Sequence, residues 1–380
     1  MTGHGDALLE LLAELVDQDS PSTDPECVDR LQDIVQARAR VPGVSFERIP
    51  VVGYGDHLRV EFGEGARQVL VLCHVDTVWP RGEAARRPFS VEAGRALGPG
   101  CSDMKGGVAL ALHVLALIAG SARRPASRLC FLFTSDEEVG SPTSRELIER
   151  EAAASQAVLV LESGFPPEGA VKTFRKGWGR YVVRARGRAA HAGADHAAGR
   201  SAVKELAHQV LEIESMTDYE SGTTLNVGTI SGGSRVNVVP ELAEAEVDVR
   251  VSSLEAARRV DAGLRGLRPR GDGLRLELEG GFNRPPFERT AGVAALYEVA
   301  RGVAAELGFA LPEVPMGGAS DGNFTAALGV PTLDGLGLVG EGAHSLDEFV
   351  LLEHNERRVR LLEELLLRLG GEPPYSVRQP

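Results

Sequence analysis

The sequence predicts an α/β fold: a mostly parallel, doubly wound sheet interrupted by an inserted α+β unit of ferredoxin-like type. Three observations predict it. Short apolar runs, VLVLC (69–73), RLCFLFT (128–134) and AVLVL (157–161), alternate with helical stretches at 105–119 and 144–154. Runs that are apolar at every position, not every second one, fit strands covered on both faces by helices. From about residue 176 the texture changes to strands with alternating polarity, GRYVVRARG, TLNVGTI, AEAEVDVRVS and LRLELEG, broken by helices near 199–214 and 254–265. Strand, helix, strand, strand, helix, strand is the order of the split βαβ unit. Finally, VPTLDGL reads as one more buried strand and a helix from about 350 to 369 closes the chain, so the first pattern resumes. The expected division is 1–175 with 284–380 for the outer domain and 176–283 for the insertion.

The elements follow in order. MTGHGDALLELLAELVDQDS mixes leucines with acids, which predicts an amphipathic surface helix at about 5–18 and not a signal sequence. Asp24 and Pro25 form a cap and first-turn pair for a helix at 25–39. GGVALALHVLALIAG is the longest nearly apolar stretch. Its 15 or so residues fall short of the ~20 that cross a bilayer, so no membrane partner is expected. A formal net charge of −13 with scattered bases disfavours nucleic acid and anionic lipid. Cys27, Cys73, Cys101 and Cys130 are far apart with no C-x-x-C pair, which suits reduced thiols and a cytoplasmic protein. His4 and His354 read as solvated, His113 and His208 as helix residues, and the final PPYSVRQP as a frayed tail.

Function is read at the strand ends. In parallel sheets ligands gather beyond the carboxyl ends of the strands. Here all three apolar runs end in ligand-type residues: CHVD with His74 and Asp76, SDEEVG with Glu137 and Glu138, and ES with Glu162. GPGCSDMKGG adds Asp103 and GEGAHS adds His344. Zinc accepts histidine nitrogen and carboxylate oxygen, and two ions can share one carboxylate and one water. Such a site needs two histidines, a bridging acid, one terminal acid per ion and one acid left as base. His74, Asp103, Glu138, Glu162 and His344 with Glu137 fill that inventory, and Asp76 is placed to hydrogen-bond the far nitrogen of His74. Each piece alone has a plainer reading: H-x-D as a polar loop, Glu137 and Glu138 as a helix start, GPG and KGG as turns. Independent strand ends would not be expected to supply a complete ligand set by chance.

The motifs HVDTV, GPGCSDMKGG, SDEEVGS, VLES, GRAAHAG, GGSRVNVVP, GGASDGNFTA and GAHS, in this order, resemble the di-zinc aminoacylase and glutamate carboxypeptidase family of metallopeptidases. The resemblance spans nearly the whole chain. It implies two Zn2+ per subunit, with Co2+ or Mn2+ also suited: His74 and Glu162 on one ion, Glu138 and His344 on the other, Asp103 bridging. It also implies a cis peptide after Asp103, amide hydrolysis with Glu137 as base, and a homodimer formed through the inserted dimerisation (lid) domain. That domain would carry His191 to the neighbouring active site as an oxyanion donor.

Glutamate at 162, where dipeptidases of the family tend to have aspartate, points to carboxypeptidases and deacylases. Asn237 and Arg284 match positions that anchor a substrate carboxylate, with a hinge ion pair as the structural alternative for Arg284. The loop GGASDGN, with Gly318, would offer backbone amides to the same group, as would a plain helix start. GFPPEGAVKTFRKGWG departs from the folate-cleaving carboxypeptidases; Lys172, Arg175 and Lys176 lie there, and none is assigned to the substrate side chain. The expected enzyme releases a C-terminal amino acid, glutamate foremost, from a small peptide or N-acyl amino acid. An N-acyl-amino-acid deacylase of the acetylornithine type is second. A non-catalytic peptide-binding protein is the reading from another class, and Glu137 argues against it, because metal binding alone does not require that acid.

Overall fold

The computed structural model describes residues 4–371; the side chain of His4 and the closing PPYSVRQP lie outside the described residues. The chain divides into two compact units. One comprises the chain up to Phe174, Arg289–Met316 and Ser320 onward; the other is Arg175–Glu288 with Gly317–Ala319.

The first unit is built on a six-stranded sheet in the order Val44–Ile49, His57–Phe62, Arg128–Thr134, Gln68–His74, Ala157–Val160, Thr332–Leu333. The last four run parallel and the first two join antiparallel. Gln68–His74 and Ala157–Val160 are buried at every position, which is why their apolar runs are continuous. The helix Gly106–Gly120 fills the core, with Val108, Leu110, Ala111, Leu112, Val114, Leu115 and Ile118 buried. Cys101–Gly120 is the one helical run among the described residues long and apolar enough to cross a membrane, and 83% of its window is buried inside the fold. The first helix, His4–Val16, turns Leu8, Leu12 and Leu15 into the same core, an i, i+4, i+7 stripe. Asp24 caps the second, Pro25–Arg38, accepting from the Cys27 amide at 3.2 Å. All four cysteines are free and buried.

Two strands went unread and two expectations are corrected. The strands Val44–Ile49 and His57–Phe62 had no clear sequence signal, because VSFERI and HLRVEF mix charged side chains into half-covered edge positions. The closing helix begins at Asn355, not 350: Phe349–Leu351 pairs with Arg95–Leu97 in a small separate sheet. A short run such as FVLL does not distinguish strand from helix by periodicity. His354 is not solvated, its side chain being 12% exposed.

The second unit is one antiparallel sheet in the order Thr224–Gly232, Leu242–Val251, Gly177–Arg186, Arg275–Arg284. Numbered along the chain this is 2-3-1-4, the ferredoxin-like arrangement. Along Leu242–Val251 every second residue is buried, and Ala245, Val247 and Val249 share a core with Leu206 and Ile213 of helix Ala202–Glu214 and Val260 and Leu264 of helix Leu254–Arg265. The unit extends to Glu288, with Phe287 bridged to Arg175 beyond the end of the last strand at Arg284.

Candidate metal centre and active site

The sheet register assembles the first unit's functional side chains. Gln68–His74 lies between Arg128–Thr134 and Ala157–Val160, with His74 opposite Thr134 and Leu72 opposite Val160. His74, the turn Glu137–Val139 and Glu162 therefore leave the same carboxyl edge. Asp103 comes from the turn before the core helix, and its peptide bond to Met104 is cis, as the family resemblance implied. His344 sits between Gly340–Glu341 and Phe349–Leu351 with φ +63°, an uncommon value for a residue with a side chain.

The distances divide these residues into two groups joined by Asp103. His74 Nε2 is 3.1 Å from Asp103 Oδ1 and 3.5 Å from Glu162 Oε1. His344 Nε2 is 3.0 Å from Glu138 Oε2 and 3.3 Å from Asp103 Oδ2. Within each triad the ligand-type atoms lie within 4.8 Å of one another, so each could hold a metal ion. Separations of this size match the edge of a tetrahedron whose corners are ~2.0–2.1 Å from its centre, the usual zinc bond length.

Tautomer and charge fit a cation as well. His74 Nδ1 is 3.0 Å from the backbone oxygen of Asp76, which can only accept, so Nδ1 carries a hydrogen and Nε2 is the nitrogen left to take a metal ion. Nε2 faces carboxylate oxygens of Asp103 and Glu162, an arrangement that calls for a positive charge there, as a proton on the ring or as a metal ion between the groups. Burial disfavours the charged form of His74, yet Asp103, Asp76 and Glu162 together hold its pKa well above the ordinary value. Hydrogen bonds to Asp103 and Glu138 raise His344 to about 10. Burial would raise Asp103, but hydrogen bonds from His344 and His74 keep it far below the carboxylate range, whereas Glu138 is pushed by burial to about 7. Glu138 Oε1 is buried with no hydrogen-bond partner. The set of histidine nitrogens and carboxylates suits a divalent ion such as zinc.

Asp76 does more than the sequence suggested. Its carboxylate Oδ1 stands 3.4 Å from His74 Nδ1, farther than its own carbonyl. The same carboxylate accepts from the amides of Glu137 at 3.2 Å and Glu138 at 3.1 Å, and from Ser22 Oγ at 2.6 Å. Asp76 therefore ties the His74 strand end to the turn bearing both glutamates. Asp136 closes that turn from behind, accepting from the amide and hydroxyl of Thr143 at 2.7 and 2.6 Å.

The other expected residues belong to the second unit, except Lys172, which belongs to the first. His191 pairs with Val238, and the Asn237 carbonyl accepts from the Ala192 amide at 2.9 Å, so residues 46 apart in sequence are neighbours. His191 Nδ1 accepts from the amides of Gly193 at 3.1 Å and Ala194 at 3.0 Å, which leaves Nε2 as the protonated donor of the neutral ring. Arg284 is buried at the end of its strand. The Gly318 carbonyl accepts from the Arg175 guanidinium at 3.0 Å, and a Cβ at Gly318 would meet open space, so the fold itself does not require glycine there. Lys172 and Arg175 are buried and Lys176 is half-buried.

Together the fold and the paired triads define a metal-dependent hydrolase. Residues 70–368 match the model of peptidase family M20/M25/M40, and the chain belongs to that family of metallopeptidases. It is 30% identical to carboxypeptidase G2 of Pseudomonas sp. (strain RS-16) over 375 residues, covering 96% of this chain and 90% of that protein. With a succinyl-diaminopimelate desuccinylase of Stenotrophomonas maltophilia (strain R551-3) it shares 28% over 380 residues, covering 96% and 99%. Among solved structures, aminopeptidase PepT of Bacillus cereus ATCC 10987 superposes with a TM-score of 0.78 at 21% identity, covering 96% of this chain and 99% of that one.

Proposed function

We propose that this metallopeptidase is a homodimeric di-zinc carboxypeptidase that releases a C-terminal amino acid, glutamate foremost, from a small peptide or N-acyl amino acid. The observation that carries the reading is Asp103, with one oxygen facing each triad and Glu137 on the adjoining turn. His74 and Glu162 would hold one ion, Glu138 and His344 the other. When bound, such a pair acidifies a water toward pKa ~7 and polarises the scissile carbonyl. Glu137 takes the proton of the attacking water and returns it to the leaving amine, while Asp76 holds the turn that aims it. His191, protonated on Nε2, stabilises the oxyanion from the partner subunit. Asn237, Arg284 and the Gly318 loop anchor the substrate carboxylate.

Glu162 and the carboxypeptidase G2 relative support release of an amino acid with a free carboxylate. The desuccinylase relatives favour a second reading, an N-acyl-amino-acid deacylase. Assays of the zinc-loaded protein on N-acetyl amino acids and on N-benzoyl and dipeptidyl glutamates separate the two. The expected result is kcat/KM at least about tenfold higher for the glutamate amides. Turnover of the acetyl series alone would move the assignment to the deacylase.

Pairing through the inserted unit has its own test. An equal mixture of Glu137→Ala and His191→Ala chains should recover about a quarter of wild-type activity after subunit exchange, because half the dimers are mixed and each holds one complete site. No recovery despite demonstrated exchange would remove His191 from the mechanism.

A further inference from the structure

Glu348 is an acid that neither triad uses, yet it is 1% exposed and fully engaged. Its Oε1 accepts from the amides of Ser102 at 2.8 Å and Asp103 at 2.9 Å. Its Oε2 accepts from the Gly100 amide at 2.9 Å and from Trp79 Nε1 at 3.3 Å. The three amides form a concave nest on the turn that presents Asp103, and a carboxylate is the kind of anion such a nest binds. The turn needs glycine at 100: φ there is +74°, and a Cβ would lie 2.6 Å from the Thr77 methyl. Glu348 itself follows His344 by four residues, and Trp79 follows Asp76 by three. One buried carboxylate thus connects the segments that carry Asp76, Asp103 and His344.

We propose that Glu348 is the positioning residue of the metal pair: by filling the nest it sets the turn that leaves one Asp103 oxygen facing each triad. The inference rests on the reading that two ions share Asp103. Because Asp103 belongs to both triads, disturbing its turn weakens both ions together, unlike loss of a ligand to one.

The test is titration of chelator-stripped enzyme with Zn2+ against a competing chromophoric chelator. Glu348→Gln places an NH2 group against backbone N–H donors. The expected result is a loss of about 10–100-fold in affinity for both ions, with kcat reduced and KM within about threefold of wild type. Trp79→Phe, which removes one of four donors, should cost less than about threefold. Wild-type affinity for both ions in the folded Glu348→Gln protein, or a loss confined to one ion, would overturn the proposal. If Glu348→Gln does not fold, Glu348→Asp, with its oxygens drawn back by one methylene, is read in the same way. Failure of both to fold would make Glu348 a determinant of the fold and overturn its assignment to the metals. Fewer than two ions on the wild-type chain would instead defeat the two-ion reading itself.

Discussion

Glu137→Gln should lose about 10²–10⁴-fold in turnover while binding as much metal as the wild type. Glu137 and Glu138 are consecutive on one 3-10 turn, with both amides held by Asp76. Their side chains nevertheless separate: Glu138 Oε2 faces His344, whereas Glu137 belongs to neither triad. A carboxylate next to the ligands but not among them can accept a proton without changing the ligand set. A glutamine side chain there would keep the volume and leave the backbone contact to Asp76 in place, but its amide could not act as a base. Steady-state kinetics together with metal analysis of the same preparation checks this. Unchanged turnover would refute the assignment of the base, and loss of metal would make Glu137 a ligand.

Asp103→Ala should lose both ions and all measurable turnover, the largest effect expected of any single ligand. His74, Glu162, Glu138 and His344 each face one triad, but Asp103 supplies an oxygen to both, at 3.1 Å from His74 and 3.3 Å from His344. Alanine removes both oxygens, and each remaining pair has one nitrogen and one carboxylate. Asp103→Asn keeps one oxygen acceptor and should retain at most one ion per chain. Mass-spectrometric metal analysis after dialysis reads these outcomes, and two ions retained by Asp103→Ala would contradict a shared carboxylate.

The parts of this arrangement legible in the sequence are those that local pattern records. Continuous apolar runs identified the three central strands because burial on both faces keeps polar residues to the ends of those strands. Their ligand-rich ends were informative because parallel strands share one carboxyl edge. The inserted unit was legible in its alternation, as along Leu242–Val251. What stayed hidden depends on contacts between distant residues. Ser22 reaches Asp76 across 54 residues and Glu348 reaches Gly100 across 248, and neither bond leaves a periodic trace. Asp76 was half legible: its neighbourhood to His74 is local, whereas its hold on the Glu137 and Glu138 amides spans 61 and 62 residues. The residues after Arg284 were not legible as part of the inserted unit because Phe287 is joined to it by a bridge to Arg175, 112 residues away, which leaves no periodic trace.

Anomalous diffraction from crystals grown with Zn2+ tests the central claim most directly. Two peaks are predicted ~3.5–4 Å apart, one among His74, Asp103 and Glu162 and the other among Asp103, Glu138 and His344. A single peak, or two peaks of which one lies away from Asp103, would contradict a metal pair built on that residue.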